Sequence, residues 1–389
     1  MAISLKNIYE DTKNKYKLKL LAGKDGIDNV VNWVHFMEDS NTVDFIRGSE
    51  LIITTGLGTK DNNLLYNLIE GLISRNACGL IVNIGMYIKD IPQNIIDYCN
   101  EMNFPLFTMP WEIHLVDIMQ DYCNKIVVSE QSEISTSAAF FNAIFSKENK
   151  ESYENYLEQN GYDLKGSYLC IIVSLEKERI LKEEEYLLKK VQTSLRNSLN
   201  PFSMKYSIIL HNQDIILVFH RVNKEDINIY GNRIYEVFKK EYSSYGITIG
   251  VGSIILGVDS IIKSFNHASY AKRVAISKKK DIEFYEDIGV NKLILEVKDE
   301  EVLKDIYKQY LGKLEDYDKA HKTDYLNILR LYIKYNGSIK EVSERTFNHR
   351  NTINYKIKKI KKIINSDILT MEEKFYYQLS FYIRDLIKK

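Results

Sequence analysis

The sequence predicts a multidomain chain of mixed class. Its parts are an N-terminal α/β domain with a largely parallel sheet, a linking helix, an α+β domain, and an all-α C-terminal domain carrying a helix-turn-helix. Three observations lead there. Apolar strands alternate with amphipathic helices over residues 1–125, the pattern of a parallel sheet. Strands over 150–290 include an adjacent pair joined by a short turn, which fits a mainly antiparallel sheet. Residues 338–364, SIKEVSERTFNHRNTINYKIKKIKKII, carry the start and stop signals of two short helices in succession. A chain of 389 residues is long enough for two or three domains, and 45% hydrophobic with 27% charged residues is a soluble globular composition.

Within 1–125, Gly23-Lys24-Asp25-Gly26 is a turn. VVNWVHFME (30–38) alternates like a strand, with Val31, Trp33 and His35 on one face and Val34 and Phe36 on the other. GSELIITTGLG (48–58) is a strand entering a glycine-bounded loop. NLLYNLIEGLISRN is an amphipathic helix, CGLIVNIG (78–85) an apolar strand, IPQNIIDYCNEMNF a second helix and PLFTMP (105–110) a short buried strand. Over 115–148, Leu115, Ile118, Tyr122, Ile126, Ile134, Ala138 and Phe141 recur at three-to-four spacing around a polar middle, SEQSEISTS. This predicts a long connecting helix, either a dimer stalk or a helix buried within one subunit.

Over 150–290, SYLCIIVSL (167–175) is a strand and EEEYLLKKVQTSLRNSL a helix. YSIILHNQDIILVFH (206–220) is two strands around Asn212-Gln213-Asp214. INIYGNRIYEVFKKEY is a helix, GITIGVGS (246–253) a strand and SIIKSFNHASYAKRVAISK a helix, and IEFYED (282–287) closes the unit.

The C-terminal domain, 295–389, is where the chemistry concentrates. DYLNILRLYIKY is a helix ended by the left-handed residue that Asn336-Gly337 offers. Ser338 and Glu341 have capping-box spacing, so the next helix starts at Ile339. After a break at Phe347-Asn348, with Asn348 as N-cap, Ile353, Ile357, Ile360 and Ile364 form one apolar stripe. The opposite face carries Asn351, Tyr355, Lys358 and Lys362, flanked by Asn354, Lys359 and Lys361. Between His321 and Ile364 there are eleven Lys/Arg and three acids, a net of +8, in a chain that balances 53 against 53. One basic module in a neutral protein points to a local polyanion partner. A face that packs opposite a face of amides and cations suits a reader of the DNA major groove.

The segment His349-Arg350-Asn351-Thr352-Ile353-Asn354-Tyr355-Lys356-Ile357 resembles the C-terminal helix-turn-helix of the PucR (purine-catabolism regulator) family of bacterial transcription regulators. Lys356 stands where that family has Arg, and Ser343 and Thr346 where it has small or aliphatic residues. GITIGVG followed by HASYAKRVA is similar to the late strand and helix of a GGDEF-type, nucleotide-cyclase-like domain. At the hairpin where that signature would sit the chain has HNQD (211–214). The resemblance therefore implies the fold without the glycines that admit GTP or the acidic pair that holds metal. Ala22-Gly23, Val31-x-Trp33-Val34, Glu38, GSELIITTG (48–56) and Leu106-x-x-x-Pro110 look like the family's N-terminal domain. The resemblance implies a PucR-type sensory α/β domain over 1–125, a connecting helix over 115–148, a degenerate GGDEF-like domain over 150–290 and a DNA-binding domain over 295–389.

Few other constellations carry chemistry. No H-E-x-x-H, G-x-S-x-G or Walker A string is present, and the seven histidines lack metal-ligand spacing. Four separated cysteines (78, 99, 123, 170) fit small buried residues in a reducing compartment. No uncharged run reaches the roughly 18 residues of a membrane span, and the N-terminus turns polar too soon for a secretory signal. The expectation is therefore a cytoplasmic, non-enzymatic regulator without metal or cofactor. Its partners would be double-stranded DNA, a small effector (a purine metabolite is one option) and a second copy of itself. Asn351, Asn354 and Tyr355 are the expected base-edge contacts, with Thr352 beside them; Arg350, Lys358, Lys359 and Lys362 are expected to grip phosphates. Glu50, Thr54, Thr55 and Gly56 are candidate effector contacts where a strand opens into its loop; a tight turn whose hydroxyls cap backbone groups is the other reading. Two further classes stay open: a ligand-sensing adaptor acting through proteins, and a nucleotide-handling enzyme built on the central domain.

Overall fold

Ser4 opens the first helix, α1 (Leu5–Thr12), its Oγ accepting the Asn7 N–H at 3.2 Å. Strand β1 (Lys19–Ala22) follows, and neither element was expected from the sequence. Then come β2 (Trp33–Phe36), β3 (Glu50–Thr54), α2 (Asn62–Ser74), β4 (Gly79–Ile84), α3 (Gln93–Glu101) and β5 (Leu106–Pro110). The computed structural model describes residues 3–57, 62–146, 150–175, 191–192, 194–196, 198–199, 205–212, 214–241, 246–297 and 299–387.

The first sheet has the order β1-β5-β4-β3-β2, with β2 to β5 parallel and β1 antiparallel to β5. Both its faces are covered. Ile52, Leu80 and Val82 pack with Leu65, Leu68 and Ile95 of α2 and α3. The alternate residues Leu51, Ile53 and Ile81 pack with Leu5 and Ile8 of α1 and with the start of the next helix. Burial on two faces is why these strands read as continuous apolar runs. Gly23 has φ 71° at the turn before β2, and a Cβ there would lie 2.1 Å from the carbonyl of Phe104; only glycine fits that position.

Helix α4 (Leu115–Phe145) runs 31 residues without a break, roughly 46 Å at the usual rise. Ile118, Tyr122 and Ile126 belong to the first sheet's core. Ala139, Phe140, Ala143 and Ile144 belong to the core of the second sheet. Between them Val127, Val128 and Ile134 are exposed. The helix is buried at its ends, as a helix packed within one subunit would be, and exposed over its middle.

The second sheet is built from β6 (Ser167–Leu175), β7 (Tyr206–His211), β8 (Asp214–His220), β9 (Ile247–Val251) and the short β10 (Ile255–Leu256). The pairings β9-β6, β6-β8 and β8-β7 are all antiparallel, and β10 adds to β6. It is accompanied by α5 (Lys150–Gln159), which the sequence reading missed, α6 (Asp226–Glu241) and α7 (Ile261–Lys278). The helix expected over EEEYLLKKVQTSLRNSL lies largely outside the described residues, as does Gln213.

The chain divides into two compact units, Met1–Ala268 and Ser269–Lys389, so the division falls inside α7, upstream of the expected boundary near 290. The second unit contains α8 (Asn291–Leu295), α9 (Glu300–Tyr307), α10 (Lys313–His321), α11 (Tyr325–Lys334), α12 (Ile339–Thr346), α13 (Arg350–Ile364) and α14 (Met371–Ile387). A π turn, Lys308–Gly312, carries α9 into α10. Leu329, Val342, Ile353, Ile360, Phe381 and Ile383 are central to its core, so the tail helix α14 packs on the helix-turn-helix. Cys78, Cys99 and Cys170 are buried, and desolvation pushes the Cys99 and Cys170 thiols up to about 12. Among the described residues no helix is long and apolar enough to cross a membrane, and no group of three or more His, Cys, Asp or Glu is placed to hold a metal ion.

Candidate functional site

The C-terminal site is built from α12, a three-residue turn and α13. Ser338 Oγ accepts the Glu341 N–H at 3.3 Å and starts α12 at Ile339, preceded by the left-handed Asn336 and Gly337. Its C-cap is Phe347, at φ 52° and 98% exposed. The cap of α13 is one residue later than the sequence suggested. His349 takes it, its Nδ1 accepting the Asn351 N–H at 3.3 Å, because an imidazole nitrogen can serve as the acceptor an Asn oxygen would have been. Asn348 instead donates from Nδ2 to the Thr346 carbonyl at 2.8 Å. Ser343 and Thr346 bond the carbonyls of Lys340 and Val342 in their own helix, at 2.7 and 2.8 Å. Their hydroxyls are thereby satisfied where an aliphatic residue would need no partner.

All four isoleucines of α13 are buried. Asn351, Asn354, Tyr355, Lys358 and Lys362 are exposed and fall within about 100° of one another on the helical wheel. Arg350 and Thr352 are exposed on either side of that face. Lys359 departs from the group: it is half-buried, its Nζ 5.2 Å from the Tyr317 ring centroid and 6.0 Å from that of Tyr325. Its hydrogen bond to Tyr317 raises its pKa, and it serves to hold α13 to α10 and α11.

Phe347 carries no signal in sequence beyond its position, yet it is the large apolar residue left bare beside the face. A non-glycine residue in the left-handed region is disfavoured by roughly 1 kcal/mol. Phe347→Asn is therefore expected to stabilise the second unit by about 0.5 kcal/mol while weakening DNA binding, measured by thermal melting beside anisotropy titrations. A gain in stability with unchanged affinity would remove Phe347 from the interface.

In the first sheet the candidate effector residues separate. Glu50 lies at the start of β3, its Oε2 accepting the Arg47 N–H at 3.3 Å, and Thr54 at the end. Four residues of strand hold them about 13 Å apart, so they do not converge on one small ligand. The carboxylate that does meet the loop is Glu38, just past β2. It accepts the Thr54 hydroxyl at 3.0 Å, the Thr55 N–H at 3.0 Å and hydroxyl at 2.5 Å, and the Leu57 N–H at 3.0 Å. Gly56, at φ 77°, donates its N–H to Thr54 Oγ1 at 3.1 Å. Both hydroxyls are thus engaged by Glu38, and only Thr54 Oγ1 also meets a backbone N–H.

At the β7–β8 hairpin, Asn212 has φ 49° and His211 packs on α4, its ring 4.5 Å from Phe145 and 5.4 Å from Phe141. The turn where a nucleotide cyclase would hold its substrate is here a contact for the connecting helix.

A parallel α/β domain, an antiparallel α+β domain and a basic helix-turn-helix in one chain define a multidomain helix-turn-helix protein. Family profiles agree segment by segment: the purine catabolism regulatory protein-like family matches residues 8–126, the GGDEF-like domain 146–274, and the PucR C-terminal helix-turn-helix domain 325–383. The chain belongs to the PucR family of regulators. It is 33% identical over 116 residues to the purine catabolism regulatory protein of Bacillus subtilis (strain 168), covering 30% of this chain and 22% of that protein. It is 21% identical over 165 residues to the DNA-binding transcriptional activator AdeR of the same organism, covering 42% and 39%. The matches thus span well under two thirds of either relative. A regulator of polyketide synthase expression from Bifidobacterium adolescentis aligns in structure over 66% of this chain and 100% of its own, at 11% identity and a TM-score of 0.33, a likeness too low to carry any argument.

Proposed function

We propose that this protein is a cytoplasmic transcription regulator that binds double-stranded DNA as a homodimer and responds to a small metabolite. The observation that carries it is the exposed face of α13, where Asn351, Asn354, Tyr355, Lys358 and Lys362 line up opposite a fully packed isoleucine stripe. Amides there suit adenine edges and the cations suit phosphates. Arg350 and Thr352 extend the contact, and Lys359 braces the helix from the margin of that face. Selection of genomic fragments by the purified protein at near-physiological salt tests it. A shared two-fold motif is the expected result; binding without a motif would reduce α13 to a polyanion surface, and no binding would favour the adaptor reading.

Dimerisation follows from the small surface one helix-turn-helix buries and from the bare middle of α4. Gln120, Asn124, Val127, Gln131, Ile134 and Ala138 are exposed, uncharged and spaced by four or three residues, as in a coiled-coil seam. Ile134→Glu is expected to shift the sedimentation coefficient to that of a monomer and to weaken binding to a two-fold site by about a hundredfold. An unchanged coefficient would move the dimer contact elsewhere.

Effector sensing fits the C-terminal edge of the parallel sheet, around Thr54, Thr55 and Gly56. Glu38 organises that loop and Glu50 stands apart from it. A purine-related effector is suggested by the name of the Bacillus subtilis relative, and titration with purine catabolites tests it. Catalysis is not expected: the packed turn at His211 opposes nucleotide binding there, and incubation with GTP and Mg²⁺ or Mn²⁺ should leave the nucleotide intact.

A further inference from the structure

A cavity of about 370 Å³ opens in the second unit, lined by α10, α11 and α14. That is the lower end of the size range for small-molecule sites. Three cations and three carboxylates face it: Lys319, Arg330 and Arg384, and Glu315, Asp318 and Asp324.

The carboxylates are all engaged. Asp318 caps α11, accepting the Tyr325 and Leu326 N–H groups at 2.9 and 2.8 Å and the Thr323 hydroxyl at 2.6 Å. Asp324 accepts from Asn327 Nδ2 at 3.0 Å. Glu315 takes the Tyr307 hydroxyl and lies 3.5 Å from Lys319. Of the arginines, Arg330 is paired with Asp385 at 2.5 Å and its guanidinium rests 4.8 Å from the Phe381 ring centroid.

Arg384 differs. Its Nε is buried and has no acceptor among the described residues. Buried guanidinium donors are ordinarily satisfied, and the orphan Nε marks Arg384 as the cation of this cavity that no carboxylate of the described residues neutralises. A guanidinium presents its donors as a planar fork that matches a carboxylate. The carboxylates around the rim would repel a doubly charged anion such as phosphate, which favours a single negative charge. Asn327 and Thr323 line the same cavity and can orient the rest of a polar ligand.

The site also lies apart from the DNA-reading face. Tyr325 and Tyr332 of α11 meet Lys359 and Lys361 of α13. Asn327 and Arg330 point into the cavity from the other side of α11, as a turn of 100° per residue requires.

We propose that this cavity is a binding site for a small organic monocarboxylate, with Arg384 as its principal contact. The site does not depend on the effector reading of the first sheet, nor on DNA binding. Calorimetric titration of the full chain, without DNA and at constant ionic strength, tests it with acetate, pyruvate and benzoate beside acetamide and inorganic phosphate. Saturable binding of at least one carboxylate is expected, absent for acetamide and weakened about tenfold or more in Arg384→Gln. Arg384→Lys should retain part of the affinity. Melting curves of both variants should match the parent, since Arg384 has no hydrogen-bond or ion-pair partner to lose among the described residues. No saturable binding by any carboxylate, equal binding by Arg384→Gln, or tighter binding of phosphate than of every carboxylate would each overturn the assignment.

Discussion

Replacing Asn351 and Lys358 together by alanine should lower affinity for a specific operator by about a hundredfold to a thousandfold, and the two halves of that loss should have different signatures. A bidentate amide–adenine pair discriminates by roughly 1–3 kcal/mol, and a dimer would lose two. Lys358 is fully on the exposed face, where a phosphate contact is read out by salt. Losing one contact should reduce the slope of log affinity against log salt by about 0.9, and losing it in both protomers by about 1.8. Asn351→Ala alone should leave that slope unchanged while erasing the preference for the specific site; Lys358→Ala alone should weaken all sequences alike. Anisotropy titrations across a salt series measure both. If Asn351→Ala kept the ratio of specific to non-specific binding, the base-reading role of this face would be lost, even with binding intact.

That face was legible because its signal is local. Ile353, Ile357, Ile360 and Ile364 lie on one helix, and their periodicity alone fixes what faces away from them. The strands of the first sheet were legible for a related reason, since burial on both faces leaves uninterrupted apolar runs such as LIIT and GLIVNI. Helix α1 and strand β1 were not. LKNIYEDT buries only Leu5, Ile8 and Thr12, and KLLA is short. What fixes β1 is its pairing with β5, more than eighty residues away, which no local window contains.

Within the sites, the same division decides what could be seen. Lys359 sits at the margin of the exposed face on a helical wheel, and nothing nearby in sequence shows that Tyr317 and Tyr325 lie against it. His349 is hard to read as a cap because amide and hydroxyl side chains dominate that position. Glu50 and Thr54 are close in sequence, but an extended strand places its two ends far apart. Glu38 stands out in the sequence only as part of the family pattern, because its partners Thr54, Thr55 and Leu57 follow 16 to 19 residues later.

Glu38 therefore yields the sharper test of the N-terminal domain. Glu38→Ala removes the acceptor of four hydrogen bonds and leaves the Thr54 hydroxyl, which is fully buried, without its partner. Hydrogen bonds to charged groups contribute about 1.5–3 kcal/mol each, and a buried orphaned hydroxyl costs about 1–3 kcal/mol. Because Glu38 is only half-buried and the four bonds share one carboxylate, they will not add; a total near 3 kcal/mol is expected. For a unit of this size that corresponds to a melting temperature lower by roughly 6–12 °C. Glu38→Gln keeps one good acceptor oxygen and should lose about half as much. Thr54→Val removes the buried donor and also the acceptor of the Gly56 N–H, and should cost less than Glu38→Ala, since Glu38 can turn to water. A loss largest for Glu38→Ala and smaller for Glu38→Gln and Thr54→Val distinguishes a clamp from a ligand site. Were Glu38→Ala as stable as the parent but unable to bind an effector, the loop would be a ligand site whose internal bonds carry little of the fold. If all three variants bound an effector as the parent does, sensing would have to lie elsewhere, and Thr54, Thr55 and Gly56 would be a turn and nothing more.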